Sequence, residues 1–151
     1  MRCDHIRVLA VASTGGHWIQ LQRVMPAFRG AQLAFLATNR DHAAEISSPL
    51  YAVHDANAQT RFRMALMALQ VLWVLLRVRP HVVISAGAAP GAVALMLGKF
   101  IGARTIWLDS IANAEELSWS GRWVRRWADL WLTQWPDLAT PAGPYFHGSV
   151  L

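Results

Sequence analysis

Hydrophobic and polar positions along this chain follow two rhythms. Short β-branched runs read as strands, and longer stretches with apolar residues three and four apart read as helices. Ile6–Ala12 is an apolar run ending in Ser13-Thr14-Gly15-Gly16-His17, a strand followed by a turn. Trp18, Leu21, Met25 and Phe28 keep helical spacing, and Gly30 closes that helix. Gln32–Thr38 reads as a strand, Asp41–Ser47 as a short helix and Leu50–His54 as a short strand. Thr60 is placed to cap a long apolar helix that stops before Pro80. His81–Ser85 is a buried strand, and Gly87-Ala88-Ala89-Pro90-Gly91 follows it. Pro90 suits the first turn of a helix reaching about Ile101, with Lys99 in its last turn and Gly102 just past it. Arg104–Leu108 is the next strand, ending at Asp109-Ser110; a helix over Ser120–Asp129 and a strand over Leu130–Gln134 complete the pattern.

Strands alternating with helices imply a parallel sheet covered on both faces. The expected fold is α/β, a Rossmann-like doubly wound sheet forming a single domain over residues 1–151. Apolar residues make up 54% of the chain and charged ones 15%, a balance that excludes disorder. One cysteine, Cys3, excludes a disulfide scaffold and a cysteine-rich metal site, and fits a reducing compartment. The formal charge is +5, and all 14 basic residues but Lys99 are arginine, so an anionic partner is expected. The N-terminus lacks the long apolar stretch of a signal peptide. The apolar run Met64–Leu76 would span roughly 20 Å as a helix, short of a hydrocarbon core about 30 Å thick.

In open α/β sheets ligands sit at the carboxyl ends of the strands. Three segments fall there: Ser13, Thr14, Gly15, Gly16 and His17; Gly87, Ala88, Pro90 and Gly91; and Asp109 with Ser110. Neither glycine loop is a dinucleotide fingerprint or a P-loop. The glycines either make tight turns or let backbone approach an oxygen-rich ligand at a helix N-terminus. His17 is either a surface histidine beside a cap or a group that takes a proton from a hydroxyl or donates to a phosphate. Asp109 is either a cap or a second acid/base or sugar contact. Glu115 and Glu116 read as a solvated turn, and the other histidines show no ligand spacing.

Two segments concern surfaces. Arg61–Arg79 carries Arg61, Arg63, Arg77 and Arg79 around an apolar helix that includes Trp73. Trp119, Trp123 and Trp127 are four apart, with Arg122, Arg125 and Arg126 between them. Each is either core with solvated arginines or a patch that meets anionic lipid, with Trp119, Arg122, Trp123 and Arg126 as its contacts.

VASTGGHWIQL, VVISAGAAPGAVALMLGKFIGARTIWLDS, SGRWVRRWADLWLTQWPDLA and the closing YFHGSV together resemble asparagine-linked glycosylation protein 14 and the bacterial PssD-type exopolysaccharide glycosyltransferase subunits. The resemblance implies the N-terminal, acceptor-side half of a split GT-B glycosyltransferase related to MurG. It implies a PssE-type (asparagine-linked glycosylation protein 13-like) donor-binding partner, a polyprenyl-diphosphate-linked saccharide acceptor and a UDP-sugar at the subunit interface. His17 and Asp109 would be its catalytic residues, and the glycine loops its phosphate contacts. It implies no metal and no cofactor. Eukaryotic members carry an N-terminal membrane helix, whereas this sequence starts almost directly in its first strand, so peripheral attachment to the cytoplasmic face of the inner membrane is the expectation. Two rival expectations stand beside it: a non-catalytic recruitment subunit, and a free-standing nucleotide-binding module. Nucleic-acid binding is not expected, because the arginines lie dispersed among tryptophans and apolar helices.

Overall fold

The computed structural model describes residues 5–56 and 59–150; Cys3 lies outside the described residues. Seven parallel strands form one sheet in the order β3-β2-β1-β4-β5-β6-β7. They are β1 (Arg7–Val11), β2 (Gln32–Ala37), β3 (Leu50–Ala52), β4 (Val82–Ser85), β5 (Arg104–Leu108), β6 (Leu130–Thr133) and β7 (Tyr145–Phe146). Among the described residues four α-helices lie between them: α1 (Gly16–Val24), α2 (Arg61–Val78), α3 (Ala88–Phe100) and α4 (Trp119–Trp123). The order reverses between β1 and β4, and the crevice at that reversal is where such sheets hold ligands.

β1 is apolar at every position because both its faces are covered. Leu9 and Val11 point into a core shared with Met67, Val71 and Leu75 of α2 and Leu95 of α3. Val8 and Ala10 point the other way, into a core with Trp18 and Leu21 of α1 and Phe35 of β2. Period-two alternation on one strand thus supplies both cores.

Four differences from the sequence pattern have local causes. The first helix ends at Val24, and a 3₁₀ turn over Met25–Phe28 follows, since Pro26 has no N–H to continue an α-helix. The expected helix at 41–47 is a 3₁₀ turn over Arg40–Glu45, capped by Asn39, whose side chain accepts from the Asp41 N–H at 3.0 Å. Thr60 stands before α2 and its carbonyl accepts from Met64 N–H at 2.9 Å, but its hydroxyl makes no cap bond. The helix expected over 120–129 is the short α4 and a 3₁₀ turn over Val124–Arg126. The two-residue strand β7 has too little pattern to be read from sequence.

Candidate functional site

Parallel strands put all their carboxyl ends on one rim, and three loops meet there. Between them lies a cleft of about 460 Å³, lined by Gly16, His17, Gly87, Ala88, Asp109 and Ser110, with Ser118, Trp119 and Ser120 on its far wall. Helices α1 and α3 both open on it. Each starts from a glycine, Gly15 (φ 66°) or Gly87 (φ 139°), and neither has a side-chain cap. Their first N–H groups have no helical partner, so two partial positive charges converge on the cleft. Ala88 also has positive φ, 68°, in the left-handed region that costs a non-glycine residue about 1–2 kcal/mol. The turn into α3 is therefore strained where it faces the cleft.

His17 sits between the two loops. Its Nδ1 lies 2.9 Å from Ser13 Oγ. Its ring lies against Gly87, where a β-carbon would stand 2.5 Å from Cδ2 and 2.7 Å from Nε2. Gly87 is thus fixed twice, by its φ and by the imidazole over it. Burial holds the His17 imidazole below the ordinary histidine value, while the Asp109 carboxylate nearby pulls it upward. Burial wins, and the neutral ring is favoured at pH 7.

Asp109 is buried at the end of β5 and its carboxylate is fully engaged. Oδ1 accepts from Trp107 Nε1 (3.1 Å) and Ser118 Oγ (2.6 Å); Oδ2 accepts from Asn113 Nδ2 (3.2 Å) and Ser118 N–H (3.0 Å). Ser118 Oγ in turn accepts from Gly121 N–H at 2.8 Å, capping α4. A β-carbon on Gly121 would overlap Asp109 Oδ1 and crowd Ser118 Oγ, so the glycine lets α4 seat directly on the carboxylate. Asp109 thereby shapes the wall of the cleft.

Sequence reasoning missed the residues that hold this geometry. Gln20, buried on α1 one turn after His17, donates from Nε2 to the Asp109 carbonyl (3.2 Å) and accepts from Ile111 N–H (3.0 Å). Gln134 donates to the same Asp109 carbonyl at 3.0 Å. Ser85 Oγ accepts from Gly87 N–H at 3.1 Å and tightens the second loop. A polar residue inside an apolar helical stripe, such as Gln20, was the available signal.

Of the expected phosphate contacts, Gly16, Gly87, Ala88 and Ser110 line the cleft. Thr14 and Gly15 lie exposed beside it, and Ser13 reaches it through His17. Pro90 and Gly91 lie behind it, buried in the first turn of α3, where a β-carbon on Gly91 would overlap Ser85 Oγ. Glu115 and Glu116 are exposed, and Glu116 pairs with Arg122 at 3.1 Å.

The expected membrane contacts divide into separate places. α2 has 18 residues, so its ends lie about 27 Å apart. Arg61, at its start, borders an apolar groove of about 500 Å³ with Met64, Ala65, Val93, Trp119 and Trp123. Trp119 and Ser120 line both this groove and the His17 cleft, so the two are continuous. Arg63 and Phe62 are exposed at the same end, and Arg126 is exposed in the turn after α4. Arg79 lies with Arg7 and His81 at the opposite rim, two residues after Arg77. Trp73 stands over the β3 edge, edge-on to Tyr51. No helix among the described residues is long and apolar enough to cross a membrane.

The strand order, the cleft at the reversal and the two glycine-started helices define a Rossmann-like domain of the GT-B kind. The fold is similar to that of Acinetobacter baumannii MurG, with a TM-score of 0.79 at 16% identity over 97% of this chain and 46% of that one. It is similar to UDP-N-acetylglucosamine 2-epimerase from Rickettsia bellii (TM-score 0.71, 18% identity, 97% of this chain and 45% of that one). It also resembles the epimerase from Neisseria meningitidis bound to UDP-GlcNAc (TM-score 0.65, 12% identity, 87% and 41%). The chain spans less than half the length of each. No curated protein matches it in sequence. Residues 50–148 match the family described as "Oligosaccharide biosynthesis protein Alg14 like", and the chain belongs to that family. The matched span holds the Gly87 loop and Asp109; the Ser13–His17 loop precedes it.

Proposed function

We propose that this chain is the acceptor-binding half of a two-component inverting glycosyltransferase in exopolysaccharide biosynthesis. It moves a sugar from a UDP-sugar to a polyprenyl-diphosphate-linked saccharide. One observation carries the reading: two uncapped helix N-termini meet at His17 in a cleft that runs on, over Trp119, into an apolar groove. A diphosphate fits the first part and an isoprenoid chain the second, so a lipid-linked diphosphate has a place for both its ends. The family match and the GT-B fold support transfer to such an acceptor.

His17 acts as general base. Ser13 Oγ lies 3.5 Å from Thr14 O and can turn its proton there, so it accepts from His17 Nδ1–H and leaves Nε2 basic. The acceptor hydroxyl oxygen bonds to the anomeric carbon, the bond from that carbon to UDP breaks, and UDP departs with the electron pair. The hydroxyl proton passes to Nε2. Asp109, with four donors on its carboxylate, is a positioning residue rather than a second base.

The donor is held by a PssE-type partner across the open side of the cleft. Arg61, Arg63, Trp119 and Trp123 sit against anionic lipid at the cytoplasmic face of the inner membrane, which brings the groove to the acceptor. The test is reconstitution of the chain with a PssE-type partner, a radiolabelled UDP-sugar and a lipid-linked acceptor in vesicles. Transfer by the pair and none by the isolated chain is expected. Transfer by the partner alone at the pair's rate would leave this chain a recruitment subunit only.

A further inference from the structure

The same rim carries a second hollow that the reaction above does not use. It lies at the carboxyl ends of β2 and β3, holds about 470 Å³, and is lined by Thr38, Asn39, Arg40, His54, Asp55 and Gln70. Gln70 is the one polar break in the apolar run of α2, and the hollow explains it. Its Oε1 accepts from His54 N–H at 2.8 Å, so its Nε2 is the donor toward His54 Nδ1 at 2.7 Å. Nδ1 must then be unprotonated, which places the ring proton on Nε2 and presents an N–H donor outward. Among the described residues, the Arg40 guanidinium, the Thr38 hydroxyl and the Asp55 carboxylate have no partner.

An adjoining hollow of about 650 Å³ shares Arg40, Ala52, Val53 and Gln70, and adds an aromatic wall. Trp73 is 59% exposed there, its ring held edge-on to Tyr51 at 6.0 Å and 70°. An exposed flat ring beside unpaired donors and an unpaired acceptor matches a pyranose: C–H groups stack on the ring, and adjacent hydroxyls take the polar groups. A phosphate is a poorer fit, since Asp55 faces it with like charge. The hollow lies one to two strand spacings from the His17 loop, roughly 5–10 Å at about 4.8 Å per strand. A short oligosaccharide covers that span.

We infer that the Arg40–His54–Trp73 hollow is a saccharide subsite, which grips a sugar of the acceptor remote from the reacting hydroxyl. The inference rests on the transferase reading for its direction, but its test needs neither donor nor partner. The ¹⁵N-labelled full chain is titrated with maltohexaose, cellohexaose and a hexameric polyuronate, and separately with UDP. Saccharide-induced shifts are expected at residues 38–40, 51–55 and 69–73. Arg40→Gln and Trp73→Ala should each weaken the binding about tenfold, the worth of one good contact. Trp73→Phe, which keeps an aromatic face, should restore most of it, and Arg104→Gln, exposed at the amino end of β5 on the opposite rim, should leave it unchanged. The amide spectrum of each variant reports whether it is folded. No binding of any of the three saccharides, binding indifferent to both Arg40 and Trp73, or equal shifts at the hollow from UDP would each overturn the assignment. Failed sugar transfer by the reconstituted pair, with saccharide binding intact, would count against the transferase reading alone.

Discussion

The His17 imidazole lies on the α-carbon of Gly87, so that the loops after β1 and β4 meet through one ring and one missing side chain. The relationship makes the second glycine loop part of the first loop's chemistry. Gly87→Ala must push the ring aside and also hold a side chain at φ 139°. The expected cost is about 1–3 kcal/mol of stability, from the strained φ and the overpacked contact together. Loss of transfer should exceed what that destabilisation explains. A thermal melt and a rate on one sample check this; normal turnover would separate His17 from its seat.

Protonation of His17 gives a second expectation. Burial depresses its pKa below the ordinary histidine value of about 6.5, so the unfolded chain binds this proton more readily than the folded one. The neutral ring's contribution is fully present above the unfolded pKa and is lost as pH falls through the folded value. Transfer should therefore hold its rate to below pH 6.5, with the acid limb of the profile under the ordinary histidine range. Stability measured by denaturant should fall over the same window, and His17→Gln should flatten that part of the curve.

Asp109 should behave differently. Asp109→Ala strips the acceptor from four donors and leaves a hole under α4. A loss of roughly 3 kcal/mol is expected, from buried donors left unpaired. Hydrogen exchange should quicken over 110–121 before it does elsewhere. Unchanged stability with a lost rate would instead return Asp109 to the chemistry as a base.

The groove beside Trp119 predicts a localised membrane contact. Trp119→Ala with Trp123→Ala should cut flotation with anionic vesicles, and Arg61→Ala should reduce its salt sensitivity, since exposed charges are screened over about 10 Å at 0.1 M. Arg77→Ala and Arg79→Ala, at the far end of α2, should change little. Equal loss from both pairs would mean that the basic residues act as a diffuse field.

The strands and the glycine loops were legible because each depends on neighbours in the chain. The run Ile6–Ala12 and the motif HVVIS declare buried parallel strands, and glycines at their ends declare where a rim ligand sits. His17 could be named from its place after Gly15-Gly16. What stayed hidden depends on residues far apart in sequence. Gln20 and Gln134 meet at one carbonyl of Asp109 across 89 and 25 residues. Ser118 and Gly121 gain their meaning from a carboxylate nine residues or more upstream. The helix over 120–129 was over-extended because helical spacing was continued past α4: α4 ends at Trp123, and after a 3₁₀ turn Trp127 lies half-buried against Phe100 and Trp123.

The central claim is that His17 is the base of a sugar transfer. Its most direct test is the initial rate of His17→Ala in the reconstituted two-subunit complex, with a melt of the same preparation. General-base catalysis is worth about 10²–10⁴-fold, whereas loss of the single hydrogen bond that half-buried His17 makes to Ser13 costs folding about 1 kcal/mol. A rate lower by two orders of magnitude or more, with the melting temperature and complex assembly nearly unchanged, is the expected result. A rate within a few fold of the unaltered protein would contradict the account.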